Sequence, residues 1–277
     1  MARRSTTTVP DLSARALKLV PLIALAAALA CGAPARGQTP VPAASPPPET
    51  APFSKDCQVG ATPIADESPL PNVAAVLAQR KTLRILTMGA SHGRSGSHDG
   101  YSALIESILE HALKGIDVQI TNRGVSGELA ANAATRMKNE VALDEPDLVL
   151  WQVGTNDALA YVPADEFATT VKEQIDWLKA HKVDVVLVGL QFAREMLRDA
   201  HYAEIRDTLR KVAAQENVIV VRYYEAMQII NQAAREGGVS AGEFEHTEAG
   251  SNCLAQYVAR AITLGVFAKN LPKRPKN

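Results

Sequence analysis

The chain has 277 residues, of which 47% are hydrophobic and 21% charged, and its formal net charge is −1. That composition excludes collagen-like, wholly disordered and polytopic membrane classes. Without a basic excess, and with only 5% aromatic residues, it also speaks against a nucleic-acid partner. Three cysteines are too few for a disulfide framework and lack zinc-site spacing.

In chain order, Arg3, Arg4, Arg15 and Lys18 precede a twelve-residue apolar run from Leu19 to Ala30, followed by small residues at Ala33, Ala35 and Gly37. The run is shorter than the ~20 residues a bilayer span needs. Residues 1–37 therefore read as a secretory signal peptide and place the mature chain outside the cytoplasm, in the periplasm. Ala28-Leu29-Ala30-Cys31 is a poor lipoprotein site because its leucine stands one place late. Residues 38–75 read as a tether: Gln38 to Pro71 holds nine of the sixteen prolines, and no hydrophobic period begins before Val73. The tail of this segment, from Phe53 onward, is the part placed to lie on the folded domain. Removal of Cys31 with the signal would leave Cys57 and Cys253 in an oxidising compartment. There they either pair, pinning the end of the tether to the last helix, or stay apart; spacing does not decide.

From residue 76 to 268 the pattern is that of one domain, with a basic tail over 269–277. Short β-rich runs occur at Leu83–Met88, Val118–Thr121, Leu148–Trp151, Val183–Val188 and Val218–Val221, spaced by thirty residues or more. That interval suits a strand plus a crossover helix. Between them, Ile105, Ile108, Leu109 and Ala112 share one helical face. So do Phe167, Val171, Ile175 and Leu178, then Ile205, Leu209 and Val212, and finally Leu254, Val258, Ala261 and Ile262. Alternating strands and helices imply an α/β fold with a parallel sheet covered on both faces. Its site should lie beyond the carboxyl ends of the strands.

Four loops stand there: Gly89-Ala90-Ser91-His92-Gly93, Asn122-Arg123-Gly124-Val125-Ser126-Gly127, Gly154-Thr155-Asn156-Asp157 and, before the last helix, Glu243-Phe244-Glu245-His246. Each alone is ordinary turn chemistry. Together they fit acyl transfer. A serine hydroxyl at a helix start needs a base to take its proton, His246 being the candidate, with Glu243 three residues earlier to orient the imidazole. The Ser91 N–H, the Gly127 N–H and the Asn156 side-chain amide would serve as oxyanion donors.

At these residues the chain resembles the SGNH hydrolases, also called GDSL esterases and lipases, over roughly Thr82 to Ala268. The resemblance implies a three-layer α/β/α sandwich with a five-stranded parallel sheet of flavodoxin-like form. It makes Ser91 the nucleophile, gives Gly127 and Asn156 to the oxyanion hole, and makes Asp157 structural. It implies no cofactor or metal ion. Two departures stand out. Ala90 replaces the usual aspartate of the first block, and Glu243 replaces the aspartate of the last. Relatives place a glycine five residues after the histidine, whereas Gly250 is four after His246. Anchoring on Gly250 puts Glu245 in the histidine place and Gly242 in the aspartate place. The length tolerance of loops favours His246.

The other histidines read as ordinary: His111 and His181 on exposed helix positions, His201 at a helix start. His92 and His98 lack a third metal ligand in their loop. Trp151 and Trp177 read as core, while Tyr223 and Tyr224 either line a rim or pack under the next helix. Three competing readings remain. The Gly89–Gly93 stretch also fits the G-x-S-x-G elbow, but only one strand precedes it. A nucleotide-binding flavodoxin-like fold leaves Gly154–Asp157 unexplained and has no Walker lysine. A non-catalytic module of the same fold, binding a glycan or lipid, would follow from loss of the dyad. The leading expectation is an exported serine esterase acting on a small-molecule or glycan ester, an O-acetyl group of an envelope saccharide being the substrate inferred from location. It would have no membrane span once the signal is removed and no need of an obligate partner.

Overall fold

The computed structural model describes residues 52–89, 100–192, 194–236 and 247–268. The signal segment 1–37, the first part of the tether, Cys31 and the basic tail 269–277 lie outside them.

Five strands form one sheet: β1 Thr82–Gly89, β2 Asp117–Asn122, β3 Leu148–Gln152, β4 Asp184–Val188 and β5 Ile219–Val221. Every neighbouring pair is parallel, in the order β2-β1-β3-β4-β5. The helices are α1 Pro71–Gln79, α2 Gly100–Ala112, α3 Ala130–Asp144, α4 Thr155–Leu159, α5 Ala164–Ala180, α6 Ala200–Glu216, α7 Tyr223–Glu236 and α8 Glu248–Phe267. The chain moves one way across the sheet from β1 to β2 and the other way from β2 onward. Right-handed crossovers therefore put α2 on one face and α3, α5 and α6 on the other. The packing agrees: α2 lies along α8, while α5 packs on both α3 and α6. This is the expected three-layer sandwich. The reversal of strand order falls between β1 and β3, where a parallel sheet opens its crevice.

Most residues singled out by period fill the core, Ile108 and Ala112 of α2 being only partly buried. Ile105 and Leu109 of α2, Phe167, Val171, Ile175 and Leu178 of α5, Ile205 and Leu209 of α6, and Leu254, Val258 and Ile262 of α8 are all buried. β3, β4 and β5 are buried at every position, which is why they read as continuous apolar runs rather than alternations. β2, at the edge, is exposed at Asp117 and Gln119. Trp151 is wholly buried and Trp177 partly so.

Two buried carboxylates tie the amino end of the sheet. Asp184 accepts the N–H groups of Asn72 and Val73, each at 2.9 Å, and so caps α1 from the start of β4. Asp147 accepts the Arg84 N–H at 2.9 Å and pairs with Arg80. Both stand at the opposite end of the strands from the loops that follow β2 and β3.

The packed chain begins well before residue 76. Lys55–Cys57 forms a turn of 3-10 helix, Cys57, Val59 and Leu70 are buried, and α1 starts at Pro71, inside the segment read as tether. Ala65 bridges Val221 in antiparallel sense, the Arg222 N–H donates to the Ile64 carbonyl at 2.7 Å, and Asp66 pairs with Arg222. The segment thus covers the open edge of β5, which would otherwise present unpaired backbone groups. Cys57 is joined to Cys253 of α8 by a disulfide with a Cα–Cα distance of 5.1 Å. Beside it the Tyr257 hydroxyl donates to the Cys57 carbonyl at 2.7 Å, and Phe53 meets the Tyr257 ring edge-on. The tail from Phe53 onward thus lies on the domain through apolar residues that stand isolated in the sequence. They contact the body one at a time and make no period.

Candidate active site

β1 closes on Gly89 at φ +85°, and a Cβ there would stand 1.9 Å from the Gln152 carbonyl oxygen of β3. Only glycine lets the two strand ends approach this closely. Ser91 follows two residues later. It lies outside the described residues, as do Ala90, His92, His98, Gly242, Glu243, Glu245 and His246.

The loop after β2 is built on the end of β1. The Arg123 N–H donates to the Thr87 carbonyl and the Val125 N–H to the Gly89 carbonyl, each at 2.9 Å. Asn122 Oδ1 accepts from the Thr87 hydroxyl at 3.0 Å and from the Gly124 N–H at 2.9 Å, an Asx turn that sends the chain outward. The loop then reaches Gly127, exposed and at φ +78°. A Cβ there would meet nothing within 4 Å, so the left-handed backbone rather than crowding calls for glycine. The Gly127 N–H has no acceptor among the described residues.

The loop after β3 turns at Gly154, φ +104°, where a Cβ would lie 2.6 Å from Leu190 Cδ1. It enters α4 at Thr155, whose hydroxyl accepts the Gln191 N–H at 2.9 Å and so ties this loop to the one after β4. The half-buried Asn156 donates from Nδ2 to the Glu128 carbonyl at 3.0 Å. An amide nitrogen has two hydrogens, so this bond leaves the second for another acceptor. Asp157, 2% exposed, accepts the Ala130 N–H on Oδ1 at 2.9 Å. Leu129, the residue at the N-cap of α3, offers no side-chain acceptor, and Asp157 caps that helix from another loop. Burial pushes the Asp157 pKa above the ordinary carboxylate value, and backbone N–H groups, Ala130 first, pull against it.

The two middle loops are thus cross-linked twice, by Asn156 to Glu128 and by Asp157 to Ala130. Gly127 therefore stands one residue before the carbonyl that Asn156 holds.

α8 begins at its N-cap Thr247, whose Oγ1 accepts the Gly250 N–H at 3.1 Å. His246 is the residue immediately before this cap in sequence. Gly250 lies buried in the first turn of α8.

Tyr223 and Tyr224 are both buried. Tyr224 packs among Phe192, Tyr202 and the Arg206 guanidinium, and its burial with Tyr223 fits packing within the fold. His111 is exposed, His181 caps α5 over the Trp177 ring, and His201 opens α6 against Tyr161. Sequence reading missed Glu128 and Arg136, which pair with each other at 2.9 Å. A loop glutamate and a helical arginine eight residues apart carry no local signature.

Known proteins resemble this chain in sequence and in fold. The model of the Non-GDSL lipase-like family matches residues 56–268. The chain is similar to an arylesterase of Vibrio mimicus, 30% identical over 90 residues covering 32% of this chain and 44% of that protein. It is also similar to the esterase TesA of Pseudomonas aeruginosa, 26% identical over 126 residues covering 45% of this chain and 61% of that one. The matches therefore span about half the length of these curated relatives. A solved lipase/acylhydrolase from Enterococcus faecalis superposes with a TM-score of 0.55 at 22% identity, covering 65% of this chain and 95% of that one, which fixes the fold. The matched family span begins beside Cys57, takes in all five strands and the two cross-linked loops, and ends with α8, and the chain belongs to the Non-GDSL lipase-like family, built on the SGNH/GDSL hydrolase fold.

Proposed function

We propose that the chain is an exported serine esterase that cleaves carboxylic esters through an acyl-enzyme on Ser91. The observation that carries this reading is the bond from Asn156 Nδ2 to the Glu128 carbonyl. It fixes a side-chain amide against the residue that follows Gly127, whose own N–H has no acceptor among the described residues. Two relatives named as esterases support the reaction class.

In this reading the Ser91 hydroxyl attacks the ester carbonyl carbon while His246 takes its proton. Negative charge gathers on the carbonyl oxygen, where the N–H groups of Ser91 and Gly127 and the Asn156 amide receive it. Collapse expels the alcohol, which leaves with the proton from His246. Water then attacks the acyl carbon, giving its proton to His246. Collapse of this second intermediate releases the acid and returns the proton to Ser91. Glu243 orients the imidazole. The residues on these loops need no metal ion for any step. The substrate proposed is a short acyl ester on a saccharide of the cell envelope, a reading supported by the signal-like N-terminus and by the proline-rich segment that follows it.

The test is labelling of the folded protein with a fluorophosphonate, with Ser91→Ala and His246→Ala as controls, followed by hydrolysis of p-nitrophenyl esters of increasing chain length. Labelling that disappears in Ser91→Ala and drops sharply in His246→Ala supports the reading, with acetate the preferred ester. A folded protein that neither labels nor hydrolyses acts instead as a binder of glycan or lipid on the same fold. Release of acetate from acetylated saccharide, against none from long-chain esters, tests the substrate.

A further inference from the structure

Among the described residues, little packs against the turn that carries Gly127. Val125, Ser126 and Gly127 are exposed, and nothing lies within 4 Å of where a Gly127 Cβ would be. Glycine in the left-handed region is also the residue with the most backbone freedom to lose. A donor on such a turn is useful to a transition state only if something else holds it still.

That support comes from Arg136, in the second turn of α3. Its Nε and Nη2 meet the two oxygens of the Glu128 carboxylate at 3.0 and 2.9 Å, a fork-on-fork pair in which the Glu128 side chain is 6% exposed. The same Nη2 donates to the Arg123 carbonyl at 2.7 Å. Nη1 reaches Glu140 at 3.2 Å. One guanidinium therefore holds the first and last residues of the Arg123–Glu128 turn, with Gly127 between them. The Arg123 side chain repeats the tie in the other direction, pairing with Asp144 and Glu140 of α3. Glu128 is held at both ends: its carboxylate by Arg136, its carbonyl by Asn156.

We propose that Arg136 is a positioning residue of the oxyanion hole, clamping both ends of the turn so that the Gly127 N–H stays aligned with the Asn156 amide. The inference rests on the esterase reading above. Lysine keeps the charge but has neither the planar fork nor enough directed donors to hold the Glu128 carboxylate and the Arg123 carbonyl together.

The experiment compares the full chain with Arg136→Lys, Arg136→Ala and Glu128→Gln, with Lys172→Ala, on the exposed face of α5, as control. Three quantities are read: kcat and KM for p-nitrophenyl acetate, affinity for a boronic acid that forms a tetrahedral adduct on the serine, and amide exchange over 123–129. Arg136→Lys should lower kcat by about tenfold with KM within about twofold. Boronate affinity should fall by the same factor, and exchange over 123–129 should quicken while β3 keeps its protection. The boronate readout separates positioning from simple loss of folded protein, which leaves affinity unchanged. If Arg136→Ala fails to fold, Arg136→Lys and Glu128→Gln carry the test. An Arg136→Lys enzyme with wild-type kcat and boronate affinity overturns the inference and leaves the esterase reading standing. A wild-type protein that neither hydrolyses esters nor labels at Ser91 overturns both.

Discussion

Asp157 Oδ1 accepts the N–H of Ala130 at 2.9 Å, so a carboxylate on α4, just after β3, caps the helix that follows β2. Twenty-seven residues apart in sequence, the two fix the relative position of both middle loops. The carboxylate is buried, and its pKa is raised because desolvation outweighs the N–H groups that face it.

That balance gives a pH prediction with a definite sign. A raised folded-state pKa means the native protein holds its proton more tightly than the unfolded chain does. The stability so contributed is complete below the unfolded pKa and is lost as pH rises through the folded one. Asp157→Asn keeps an oxygen for the Ala130 N–H and cannot ionise. Its melting temperature relative to wild type should therefore rise from about pH 4 towards neutrality. Asp157→Ala has no acceptor and should cost about 1 to 2 kcal/mol in urea unfolding near pH 4, and less as pH rises. A wild-type minus Asp157→Asn difference that stays flat with pH would sink this account.

Gly89 and Gly127 both have positive φ and should respond differently to alanine. At Gly89 the new Cβ meets β3 backbone at 1.9 Å, and backbone has no rotamer to escape into. Gly89→Ala should cost roughly 3 kcal/mol or more, or prevent folding. At Gly127 the space is open, so Gly127→Ala bears only the left-handed backbone penalty of about 1 kcal/mol and should yield a folded protein. Chemical denaturation of the two variants side by side separates crowding from conformation.

The disulfide between Cys57 and Cys253 closes a loop of 196 residues and ties the strap along β5 to α8. Replacing both cysteines by serine should remove about 2 to 4 kcal/mol of stability. Protease sensitivity should appear first over 52–70, where the backbone bonds of the strap, such as Leu70 N–H to the Gly265 carbonyl at 3.0 Å, are few. Equal stability with and without reductant would show that the strap is held by its packing alone.

Under the esterase proposal Asn156→Ala removes one donor to the developing oxyanion. It should lower kcat by about 10²- to 10³-fold with little change in KM. Loss of the Nδ2 bond to Glu128 should cost only about 1 kcal/mol in stability. A large rise in KM with kcat preserved would assign Asn156 to substrate binding instead.

The amino-acid sequence by itself determined the layers of this protein and the order in which they occur. Strand runs such as Leu148–Trp151 and helix faces such as Phe167, Val171, Ile175 and Leu178 are local periodicities, and burial of an apolar face follows directly from them. It also gave the glycines at strand ends, because positive φ leaves a residue-type signature. What only the tertiary structure decided are contacts between segments that share no period. The strap from Phe53 to Leu70 reads as tether because its anchors are single residues. Asp157 at Ala130, Asn156 at the Glu128 carbonyl and Arg136 around the Gly127 turn are invisible in sequence for the same reason. Each joins a side chain on one element to backbone or charge on another. Such pairings depend on which strand ends the crossovers bring together, and that is fixed only once the sheet has formed.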